Sequence, residues 1–175
     1  SLRERIEEAV TAAKWVGAGK TILAEIEPRQ TVVPLQFSGT NPREVPIVSK
    51  KNLCSNYADL LRSVSPKVTT VSVRYLDSLQ NVLYVTSEGT VLEQSWVDME
   101  MRFAATARND SQVQTGREAT GSRQAFEDLE GLEQQVQQAA ARAVNALELP
   151  AVKSGIYPIV IDPVLTGLFV HEAFG

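Results

Sequence analysis

Val97-Asp98-Met99-Glu100-Met101-Arg102-Phe103-Ala104-Ala105 decides the fold class. Val97, Met99, Met101, Phe103 and Ala105 share one face of an extended chain, while Asp98, Glu100 and Arg102 share the other. Successive side chains of a strand point to opposite faces, so this stretch has one buried and one wet side, the mark of an antiparallel sheet. Upstream, Val71, Val73 and Tyr75 alternate with Ser72 and Arg74, and 82–86 is rich in β formers. Ser87-Glu88-Gly89 supplies a turn with a glycine available for positive φ. Residues 111–118 read as one more strand, with Gly116 and Gly121 expected to break the chain.

From Ser122 the period changes. Phe126, Leu129, Leu132, Val136, Ala140, Ala143, Val144 and Leu147 form one helical stripe that ends at Pro150. This predicts a helix near 122–149 of about 27 residues, roughly 40 Å long. Its outer face carries Gln134, Gln135, Gln137 and Gln138 and reads as solvated. On the N-terminal side, Leu2, Ile6, Ala9, Val10, Ala13 and Val16 predict an amphipathic helix stopped by Gly17 and Gly19. Pro28, Pro34, Pro42 and Pro46 then impose an extended connection with one short strand at 31–33. Leu53, Tyr57, Leu60, Leu61 and Val64 restore helical spacing, with Asn52 as the expected N-cap. The last segment reads as an apolar strand, Tyr157-Pro158-Ile159-Val160-Ile161, followed by a helix that Asp162 caps and Pro163 opens. The expected class is therefore α+β: a single domain over 1–175, an antiparallel β-sheet with packed helices.

Composition excludes several functions. The 175 residues are 43% hydrophobic and 22% charged, ordinary for a globular domain. Seventeen basic against 21 acidic side chains leave a net charge of −4, without the basic footprint that nucleic acid demands. No apolar run reaches the ~18 residues of a membrane span, and Ser-Leu-Arg-Glu-Arg at the start does not open a signal peptide. The single Cys54 cannot form an internal disulfide, which favours a reducing compartment and a cytoplasmic location. The chain starts at Ser1 and stops at His171-Glu172-Ala173-Phe174-Gly175, and both ends are expected to be cuts through a longer protein.

Few residues carry chemistry. Gly17-Ala18-Gly19-Lys20-Thr21 resembles the end of a phosphate loop, but Lys14 stands where the first glycine belongs, and a helix rather than a strand precedes it. It reads as a helix stop. Cys54 has no neighbouring ligand and reads as a packed thiol, and Trp15 and Trp96 as packing residues. His171-Glu172 is the serious candidate. Taken alone, one histidine after such a unit is more often structural than a ligand. Its chemistry would be an imidazole on Zn²⁺ and a carboxylate that takes the proton of the attacking water. The familiar zincin spacing puts a second histidine four residues on, where Gly175 stands.

The run Gly155-Ile156-Tyr157-Pro158-Ile159-Val160-Ile161-Asp162-Pro163, then Gly167-Leu168, then His171-Glu172-Ala173-Phe174-Gly175, resembles the TldD/PmbA family, whose old label is modulator of DNA gyrase. That family's catalytic branch carries His-Glu-x-x-x-His after such a strand and Pro-led helix. Tyr75-Leu76-Asp77, Thr86-Ser87-Glu88-Gly89 and the alanine-rich segment at 122–149 are similar to it as well. The resemblance implies a zinc metallopeptidase acting on small or unfolded polypeptides, with a related subunit in a hetero- or homo-oligomer. It implies His171 as a zinc ligand and Glu172 as the general base, and a second histidine directly after Gly175. The family's cysteine ligand lies well downstream, so Cys54 does not correspond to it. The fragment is expected to be inactive, for one imidazole cannot hold catalytic zinc. The alternatives are a non-catalytic, PmbA-like partner subunit, a regulatory scaffold, or a structural domain without a site.

The motif's spacing poses a geometric question. Helix residues five apart diverge by roughly 140°, against roughly 40° for residues four apart. Two imidazoles so spaced meet one metal only where the helix bulges or ends, and Gly175 is the residue expected to allow it.

Overall fold

Two strands of 18 residues each, Val68–Val85 (β2) and Val91–Arg108 (β3), dominate the computed structural model, which describes residues 1–16 and 24–175. Around them stand α1 (Leu2–Val16), β1 (Gln30–Val33), α2 (Ile47–Ser63), β4 (Val113–Ser122), α3 (Glu133–Ala146) and α4 (Pro163–Phe174). The glycine-rich stretch Gly17-Ala18-Gly19-Lys20-Thr21, read from sequence as a helix stop, lies outside the described residues. Among those described, no helix is long and apolar enough to cross a membrane.

β3 is the centre of a four-stranded sheet. It pairs with β2 on one side and with β1 and β4 on the other. The β2–β3 turn is closed by Thr86 N–H donating to the Thr90 carbonyl at 3.0 Å, with Gly89 at φ +98° as its sequence suggested. The sheet is mixed rather than purely antiparallel. β1 runs parallel to β3, with Gln30 opposite Val91 and Val33 opposite Gln94. The long connection through Pro34, Pro42 and Pro46 lets β1 reach that edge in either direction, so its sense was open to the sequence reading.

Contacts divide the chain into two units. One comprises 1–55, 74–102 and 119–132. Its core holds Val97, Met99, Met101, Ala125, Phe126, Leu129 and Leu132. The loop before α2 is stitched to the turn after β4, with Ser38 N–H on the Gln124 carbonyl and Phe126 N–H on the Thr40 carbonyl. The other unit comprises 56–73, 103–118 and 133–175. There Tyr57 meets Phe103 edge-on at 5.4 Å, and the face of α3 carrying Val136, Ala139, Ala140 and Ala143 is buried. Each fully buried Phe, Leu or Met contributes roughly 1.5–3 kcal/mol.

Several expectations need correction. The single helix near 122–149 is two pieces, a 3-10 turn Phe126–Leu129 and α3, separated at Gly131, whose φ of +67° no continuing helix allows. Asp128 holds that turn by accepting from Ser122 Oγ and Ala125 N–H. α2 starts at Ile47, so Asn52 lies inside it; Pro46 instead opens the helix, its carbonyl accepting from Ser49 N–H at 3.0 Å. Gly116 and Gly121 do not break the chain but lie within β4. A Cβ on Gly116 would stand 2.0 Å from the Ala139 carbonyl oxygen, so glycine is there to let α3 lie against the strand. Trp15 does not pack: it is 87% exposed, on a helix with no buried residue among those described.

Candidate functional site

α4 begins as its sequence dictates. Asp162 is extended, and its Oδ1 accepts from Leu165 N–H at 2.8 Å while its carbonyl accepts from Thr166 N–H at 2.9 Å. Pro163 occupies the first turn, where its missing N–H is not needed. The preceding apolar residues 157–161 form no strand, because no sheet edge of their unit is paired with them. Tyr157 Oη donates to the Lys153 carbonyl at 2.9 Å. Every residue from Leu149 to Gly175 is exposed, including Leu165, Leu168, Phe169, Val170 and Phe174. A helix apolar on all sides is built to be buried.

His171 and Glu172 follow each other in the last turns of α4, about 100° apart around its axis. The helix dipole there favours a cation beside His171. Gly175 closes the helix, donating its N–H to the His171 carbonyl at 2.9 Å. A Cβ built on Gly175 would lie 2.5 Å from that oxygen and 3.1 Å from His171 Nδ1. A side chain there would crowd the imidazole. Among the described residues no three His, Cys, Asp or Glu side chains converge on a common point. A catalytic zinc takes three protein ligands, so these residues do not fit a complete metal site; His171 can be one ligand of such a site.

A second polar cluster escaped the sequence reading. Lys50 on α2 donates to Asp77 Oδ2 on β2, and Tyr75 Oη donates to the same oxygen at 2.9 Å. The Lys50 ammonium also stands 5.0 Å from the centre of the Tyr75 ring. Burial works to raise the pKa of Asp77, but the bonds from Lys50 and Tyr75 and the charges of Lys50 and Arg43 outweigh it and hold the carboxyl below its ordinary value. Burial first, then the bond to Asp77, pushes the Tyr75 phenol well up. Cys54 is half-buried; burial pushes its thiol up against a backbone hydrogen bond from Tyr75, as befits a packed, unreactive thiol. Period-two spacing puts Tyr75 and Asp77 on one face of β2, which was legible. The pairing with Lys50, 27 residues away, was not. Trp96 is half-buried, its Nε1–H on Asp98 Oδ2 at 2.9 Å and the Arg123 guanidinium 5.4 Å from its ring centre.

Residues 40–147 match a family described as the PmbA/TldA metallopeptidase central domain. A metalloprotease of Synechocystis is 58% identical over 99% of this chain, which spans 38% of that relative. A protein of Saccharolobus solfataricus named zinc metalloprotease TldD homolog is 24% identical over 72% of the chain, which spans 29% of it. The chain thus covers under two fifths of either relative. A Thermotoga maritima crystal structure bearing the label of a modulator of a DNA gyrase superposes on 87% of the chain with a TM-score of 0.64, at 18% identity and over 34% of its own length. That last likeness concerns the fold.

Proposed function

The chain belongs to the PmbA/TldD metallopeptidase family, and on that premise we propose that it is part of a zinc metallopeptidase that hydrolyses peptide bonds in small or unfolded polypeptides. The observation that carries this is α4, an Asp162-capped apolar helix that presents His171 and Glu172 side by side. In this reading His171 gives an imidazole to zinc, and the other ligands lie outside these 175 residues. Zinc supplies Lewis-acid chemistry when bound. Glu172 takes up the proton of the attacking water and returns it to the leaving amine. The 175 residues alone are inactive, for want of the remaining ligands. The protein works beside a related subunit in a hetero- or homo-oligomer, and a lone Cys54 suits the cytoplasm.

The test is hydrolysis of an unfolded polypeptide by the full-length protein and its Glu172→Gln variant. Loss of general-base catalysis lowers kcat about 10²–10⁴-fold with little change in KM. A variant as active as the wild type removes Glu172 from the mechanism. A wild type inert with zinc supplied makes the protein the non-catalytic partner instead.

A further inference from the structure

We draw no further inference here: the strongest candidate, the cavity of about 500 Å³ where the segment before β1 meets the β2–β3 turn, is walled by exposed side chains such as Glu27 and Arg29, and its buried Thr90 hydroxyl already accepts the Arg29 N–H at 3.2 Å, so nothing in the structure shows what fills it.

Discussion

Substituting alanine for Gly116 puts a methyl group between β4 and α3 where there is no space. The new Cβ would lie 2.0 Å from the Ala139 carbonyl oxygen, 2.8 Å from Ala143 N and 3.0 Å from Arg142 Cβ. Real Cβ contacts almost never fall below 3.0 Å, so the strand and helix must part by about an ångström. Two of the three atoms are backbone, so no side chain can swing aside. Ala139, Ala140 and Ala143, which seal that face of α3, would lose part of their packing. Inserting a methylene into a packed core costs about 1–3 kcal/mol, and a backbone-to-backbone collision belongs at the upper end. At roughly 2–4 °C per kcal/mol for a chain of this size, Tm falls by about 6–12 °C. The assay is thermal unfolding by far-ultraviolet circular dichroism, with Gly167→Ala as control. Gly167 lies in α4 with nothing within 4 Å of a built Cβ, so alanine there leaves Tm unchanged or raises it. Should Gly116→Ala melt within about 2 °C of the wild type, the close approach of α3 to β4 is wrong.

Other consequences follow from the Lys50–Tyr75–Asp77 cluster and from α4. Lys50→Met strands a carboxylate whose side chain is 20% exposed and costs about 3 kcal/mol in urea unfolding at pH 7, while the K50M/D77L double variant recovers most of it; a single variant as stable as the wild type would show the pair to be idle. The folded pKa of Asp77 is depressed, so its contribution is present above the ordinary carboxylate value near 4 and lost as pH falls through the folded value; Asp77→Asn flattens the acid limb of the stability profile. The folded pKa of Tyr75 is raised, so its contribution is full below about pH 10 and lost as pH rises through the folded value. Ultraviolet titration should show one of the four tyrosines ionising late, absent from Tyr75→Phe. Gly175→Ala in the full-length protein should lower zinc occupancy by crowding His171, and unchanged occupancy would release Gly175 from that role.

What the sequence showed and what it hid divide along the range of the interactions. The alternation at 97–105 reported the buried face of β3 because period two belongs to the strand itself, and all five apolar residues are buried. Asp162 and Pro163 announced α4 because a cap acts within one turn. The break at Gly131 was hidden because Phe126, Leu129, Leu132 and Val136 keep helical spacing across it. Gly116 reads locally as a break because its reason is a helix more than 20 residues later in the chain. Lys50 and Asp77 meet across 27 residues, and neither carries a local sign of the other. His171 and Glu172 were legible as a pair on one helix, and the structure sets them there. Their partners were not legible, since no described residue of this chain joins them.

The proposed role of α4, to carry one ligand and the proton acceptor of a zinc peptidase, is read out by metal content. Full-length protein, His171→Ala and Glu172→Gln are to be purified in parallel and measured for zinc by mass spectrometry. This role predicts stoichiometric zinc in the wild type and in Glu172→Gln, whose carboxyl is no ligand in the proposed site, and its loss from His171→Ala. Zinc retained in full by His171→Ala, or absent from the wild type after zinc is supplied, would contradict it.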